Sequence, residues 1–135
     1  MSNKAVSAVI AILIAVIVLT LIGAGSFYMY RLGKYQTTIA NITIANPDLH
    51  LIADGTYNGS FDAYLVAATV NVTIVDHAIT EIELVRHKTE RGQKAEVITD
   101  QVVTAQSLQV DTISGATNSS KVILKAIEIA LENAA

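Results

Sequence analysis

The hydrophobic pattern along the chain falls into three stretches, and each predicts a different kind of structure. Residues 5–25, AVSAVIAILIAVIVLTLIGAG, form an uninterrupted apolar run of 21 positions with no charge. At about 1.5 Å of rise per residue, a helix of that length crosses a hydrocarbon core of roughly 30 Å, so the run reads as one transmembrane helix. A cleaved secretory signal competes, because Gly23 to Ser26 are small. The apolar core of such signals is usually only about 7 to 15 residues long, and an uncleaved anchor fits better. Phe27, Tyr28 and Tyr30 follow at once, as in the aromatic belt where a helix leaves the bilayer, which sets the anchor at residues 1–30. The second stretch, RLGKYQTTIANITIANP at 31–47, is polar with scattered Ile and reads as a stalk ending at Pro47.

From Asp48 to residue 135 the pattern becomes that of a compact α+β domain. DGTYNGS (54–60) places two Gly among turn formers and opens a short strand or hairpin. YLVAATVNVTIV and AITEIELVRH, separated at Asp76-His77, are rich in β-branched residues. In the second of them Ile79, Ile82 and Leu84 mix with Glu81 and Glu83, so one face is buried, one is wet, and the two segments pair as an antiparallel hairpin. GQKAEVITDQVVTAQS (92–107) reads as a helix, with Ala95, Ile98, Val102 and Ala105 at spacings of three and four. A short strand, LQV, is expected next. In the final helix Val122, Ile123, Ala126, Ile127, Ala130 and Leu131 form one apolar stripe that must pack on the sheet. The expected fold is a small antiparallel sheet packed with two helices, preceded by one N-terminal transmembrane helix.

Composition agrees with one small domain plus a membrane segment: 135 residues, 52% hydrophobic, with one Pro and no Cys. The lack of Cys excludes disulfides and a lipid-modified N-terminal Cys. Residues 1–47 carry Lys4, Arg31 and Lys34 and no acid, a net of +3. Residues 48–135 carry six basic and twelve acidic residues, a net of −6. A domain so acidic is a poor nucleic-acid binder, since phosphate contacts need clustered Lys and Arg. Basic residues flank both ends of the apolar run, so the charge count does not orient the anchor. His50, His77 and His87 show no metal-ligand spacing.

The chemistry concentrates in DTISGATNSS (111–120), where Ser114, Thr117, Ser119 and Ser120 surround Gly115 and Ala116 just before the final helix. One reading is a turn at Ser114-Gly115 followed by a helix cap from Asn118 or Ser119. A cap, however, needs one oxygen and the loop offers several. The other reading is covalent chemistry on a hydroxyl. A Gly-containing turn at a helix N-terminus also suits a phosphate group, although the lysine and spacing of a P-loop are missing.

D-T-I-S-G-A-T resembles the flavinylation motif of the FMN-binding domain family: Asp, two variable residues, Ser or Thr, Gly, Ala, then the accepting Thr or Ser. DGTYNGS, the V-x-I-V-D-x-x-I-T-E-I hairpin at 72–82, His87 and QSLQVD are similar to that family in order and spacing, so the resemblance covers residues 50–134. Members include the FMN-carrying subunits of the sodium-pumping NADH:quinone reductase and of the Rnf complex, and flavinylated domains of bacterial extracytosolic reductases. The resemblance implies FMN joined through its phosphate to Thr117, installed from FAD by a separate magnesium-dependent flavin transferase. It also implies Ser114, Gly115 and Ala116 as the presenting turn and Asp111 as the acid of the motif. Asp111 either orients the acceptor or the metal, or tightens the turn through its side chain. Tyr57 and Tyr64 are candidates to stack on the flavin ring, or plain sheet packing.

The chain is shorter around the core than the pump subunits, so a small single-pass electron carrier on the extracytoplasmic side of the cell membrane is the expectation. It would pass electrons between a membrane or extracytoplasmic donor and acceptor, and a redox carrier or a subunit of an oxidoreductase chain fits better than a stand-alone enzyme. Two other readings stay open at this stage. One is a noncovalent flavin-binding or sensory module. The other is a pilin-like structural subunit, although residues 5–25 lack the early Glu such subunits need.

Overall fold

The computed structural model describes residues 2–134 and divides into two compact units after Gly33. Helix α1 (Asn3–Ala40) is long and apolar enough to cross a membrane. Ile12, Leu19 and Leu21 are exposed on it in the protein alone, the surface that lipid would cover. Its 38 residues would extend to roughly 57 Å, beyond the roughly 30 Å of a hydrocarbon core, so its last turns are not needed to span one. Tyr35 and Ile39 in those turns pack into the second unit's core. The helix therefore outlasts the exit expected near Phe27 to Tyr30.

The second unit holds a three-stranded antiparallel sheet, β1 (Gly55–Asp62), β2 (Ala67–Val75) and β3 (Ala78–Lys88), in spatial order β1-β2-β3. The period-2 pattern decides its faces. Val70, Val72 and Ile74 of β2 are fully buried, and on the opposite face Thr56 meets Thr73, Asn58 meets Asn71 and Ser60 meets Thr69 through side-chain hydrogen bonds. The β2–β3 turn is the expected Asp76-His77 pair, with φ of 51° and 60°. Positive φ at both central residues gives the backbone twist that joins two right-twisted strands. Asp54 Oδ1 accepts from the Asp76 amide at 2.8 Å and holds that end.

Helix α2 (Ile98–Ala105) lies against β3, and helix α3 (Thr117–Ala134) covers β1 and β2. All six residues of the expected stripe on α3 are buried. Burial of one such Val, Leu or Ile contributes about 1.5–3 kcal/mol, and this contact is the centre of the core.

Three local expectations are corrected. The helix expected at 92–107 begins as a 3-10 turn, Gln93–Val97, and is α-helical only from Ile98; Ala95, Ile98 and Val102 are buried, but Ala105 is exposed. A side chain on Gly92 would collide with Ser119 and Thr89, so the start of this segment is packed closely against α3. The LQV strand does not form. Leu108 N donates to the Asn46 side chain at 3.1 Å and Gln109 N to Ser107 Oγ at 3.0 Å, so side chains take the backbone bonds that a neighbouring strand would have taken.

The expected stalk is the third correction. Residues 34–47 belong to the same compact unit as the sheet, and residues 41–47 run along it as a strap. Glu128, 3% exposed on α3, accepts from Ala45 N at 2.9 Å and pairs with Lys125 at 2.9 Å, while Lys125 Nζ donates to Thr43 O at 3.2 Å. Gln109 Nε2 donates to Ile44 O at 3.0 Å. Replacing Glu128 with Ala leaves the Ala45 amide and the Lys125 ammonium short of a partner. It is expected to cost about 1–3 kcal/mol, measured by thermal unfolding, and to expose the 41–47 segment to protease before the sheet.

Candidate functional site

The stretch 111–120 forms a turn clamped onto the first turns of α3. Ala116 N donates to Ile113 O at 2.9 Å, closing the bend at Ser114 and Gly115. Gly115 has φ of 76°, the left-handed region that side chains rarely adopt. The clamp is Ser120, fully buried, which accepts from Ile113 N at 3.0 Å and donates to Ala116 O at 2.8 Å.

The capping expectation does not hold. The helix begins at Thr117, after Ala116, whose side chain has no oxygen. Asn118 Nδ2 donates to the Tyr35 hydroxyl at 2.9 Å, and Ser119 Oγ meets Thr89 Oγ1 at 3.1 Å. Three of the five hydroxyls and amides that made the loop look redundant are thus committed: Ser120 to the turn, Ser119 to the end of β3, and Asn118 to α1, while Ser114 and Thr117 are not. Thr117 is exposed, and its hydroxyl has no partner among the described residues.

Asp111 is exposed and likewise makes no side-chain hydrogen bond or ion pair among the described residues. It does not tighten the turn, which Ser120 does instead. Asp111 and Thr112 line an open groove of about 330 Å³ between α3 and the strap, shared with Ile42, Ile44, Val110, Lys121 and others. On the other side of the loop, a side chain at Gly115 would meet Lys94 Nζ at 2.6 Å. Lys94 forms no ion pair or hydrogen bond among the described residues, so its ammonium rests against the loop and answers to nothing else.

Thr117, Ser114, Gly115, Ala116 and Asp111 are therefore one assembly. Tyr57 is not part of it. Its hydroxyl donates to Ala53 O at 2.7 Å, and the neighbouring Asn58 O accepts from Asn133 at the other end of α3. Sixteen residues of helix from 117 to 133 amount to roughly 24 Å, which separates Tyr57 from Thr117. Tyr64 sits at the nearer end. It lies in the β1–β2 turn at φ of 70°, with its carbonyl accepting from Lys88, the residue before Thr89.

The turn and its surroundings match a known family. The model of the FMN-binding domain matches residues 65–132, half of the chain, from the β1–β2 turn to the end of α3. The chain belongs to the FMN-binding domain family. No curated protein and no solved structure matches it.

The residues present suit a phosphate-linked flavin. An exposed hydroxyl stands in the first turn of an 18-residue helix, whose dipole favours an anion there. Neither Asn118 nor Ser119 caps the helix, Lys94 is unpaired beside the loop among the described residues, and the slim Gly115-Ala116 turn leaves the hydroxyl exposed. Sequence reasoning missed Ser120, Lys94 and the strap. Lys121 was within reach, since the spacing from Thr117 puts both on one face of a helix.

Proposed function

We propose that the protein is a membrane-anchored electron carrier on the extracytoplasmic side, with FMN esterified through its phosphate to Thr117. The observation that carries the reading is the partnerless, exposed Thr117 hydroxyl at the acceptor position of the motif, the only hydroxyl in the first turn of α3 left open among the described residues, since Ser119 and Ser120 are engaged elsewhere. A threonine hydroxyl is a weak nucleophile, so base and metal come from the flavin transferase. The Thr117 oxygen forms a bond to the flavin-side phosphorus of FAD as the pyrophosphate bond breaks. AMP leaves, and the hydroxyl proton passes to the transferase base.

After attachment, Lys94 and the α3 N-terminus offset the charge of the phosphodiester. The flavin supplies the redox chemistry, and the protein supplies position and electrostatics. Donor and acceptor are then proteins or small molecules reached at the membrane surface or outside it.

Intact mass after coexpression with an active transferase is expected to rise by one FMN less one water, and denaturation is expected to leave the flavin attached. Flavin that separates on denaturation supports a noncovalent module instead. Sidedness has its own test. Protease added to spheroplasts is expected to digest the domain and spare residues 5–25, whereas full protection while an external marker is cut reverses the orientation.

A further inference from the structure

The groove beside the loop has a composition that the attachment reaction does not use. Its walls include Ile42 and Ile44 from the strap, Val110, and Leu124 on α3, and its polar side chains include Lys121 and Asp111. Thr117, Lys121 and Leu124 fall at i, i+4 and i+7, one stripe of the helix running from the acceptor into the groove. Lys121 is half-buried, yet it makes no ion pair or hydrogen bond among the described residues. A cation drawn partly out of water without a partner is costly, and Lys125, one turn further on, is fully engaged by Glu128 and Thr43. At about 330 Å³ the groove lies at the small end of the range for ligand pockets, roughly 300–1,000 Å³, and apolar walls with one or two polar groups are their usual make-up.

We infer that this groove receives the isoalloxazine ring and that Lys121 sets its reduction potential. The inference rests on the proposed attachment at Thr117. Flavin gains negative charge on reduction, so a cation beside the ring favours the reduced form and raises the potential. Two of the walls come from residues 42 and 44, on the segment that leads directly from α1 into the domain. The ring would thus lie against the part of the domain nearest in sequence to the anchor.

The test uses the full chain, flavinylated by coexpression and purified in detergent, with the potential read by spectroelectrochemical titration and the covalent flavin content by fluorescence of denatured protein. Lys121→Met is expected to keep the flavin content and to shift the reduced-to-oxidised ratio about tenfold toward the oxidised form, about 30 mV lower for a two-electron couple. Lys121→Arg is expected to keep the wild-type potential. Acrylamide is expected to quench the native flavin less than free FMN. Normal flavin content with an unchanged potential in Lys121→Met overturns the inference alone. So does a loss of flavin content without a shift in potential, which would put Lys121 at the phosphate. Wild type without covalent flavin overturns the attachment reading and this inference with it.

Discussion

Thr117→Val is expected to give a folded protein with no covalent flavin. Valine replaces the hydroxyl with a methyl at nearly the same volume. Since the Thr117 oxygen has no partner among the described residues, nothing in the fold depends on it. The helix starts after Ala116, and the turn is held through Ser120, so neither is disturbed. Thermal unfolding of the unflavinylated proteins should therefore agree to within about 0.5 kcal/mol, as for surface positions generally. Thr117→Ser is expected to retain part of the flavin, because the nucleophile survives while the β-methyl that fixes its rotamer is lost. Ser120→Ala separates the two roles. It leaves Ile113 N without its partner, while Ala116 O keeps the bond from the Ser120 amide, and should cost about 1–3 kcal/mol, yet it should still carry flavin wherever it folds. The readout is in-gel flavin fluorescence of denatured protein, with the modified peptide mapped by mass spectrometry. A fluorescent Thr117→Val band would remove Thr117 as the acceptor.

The parts of this fold that were legible from sequence are those decided by neighbours along the chain. The apolar run of α1, the alternation in β2 and β3 around Asp76-His77, and the stripe on α3 each report their surroundings through a short repeat. The motif was legible for the same reason, since its turn is closed by residues only seven apart, Ile113 and Ser120. What was not legible depends on partners far away in sequence. The strap is held by Glu128 and Leu108, eighty-three and sixty-two residues from the positions they bind. Nothing local in NITIANP signals that it is docked. The 3-10 turn at Gln93–Val97 follows Gly92, which packs against Ser119 of α3, and carries Lys94, which lies beside Gly115. Asn118 and Ser119 are suitable caps by residue type, but Tyr35 and Thr89 compete for them and win. The region around the attachment loop is thus where local reasoning was least complete, because α1, β3, the 3-10 turn and α3 all converge on it.

Gly59→Val is expected to prevent the domain from folding, and with it all flavin attachment. Gly59 is in the middle of β1, facing α3, and a Cβ there would overlap the carbonyl of Ala126 and the backbone of Ala130. These are main-chain atoms of a helix, so no rotamer change relieves the collision. Either β1 lifts away or α3 shifts as a body. A shift of α3 would drag Val122, Ile123, Ile127 and Leu131 out of register with the fully buried Val70, Val72 and Ile74. Overpacking a core costs about 1–3 kcal/mol when side chains can give, and more is expected where they cannot. Against a total stability of about 5–15 kcal/mol, Gly59→Ala already carries the colliding Cβ and should melt at least roughly 10 °C lower, as a loss above about 3 kcal/mol implies for a domain of this size, while Gly59→Val, with two further methyls, should leave no folded protein. Gly23→Ala is the matching control, since nothing lies within 4 Å of a side chain there. The measurement is thermal unfolding by circular dichroism of purified chain in detergent, with covalent flavin per chain as a second reading. A Gly59→Val protein that melts with wild type would mean that β1 and α3 do not meet at Ala126 and Ala130, and the packing that brings Thr117 to the end of the sheet would then have to be different.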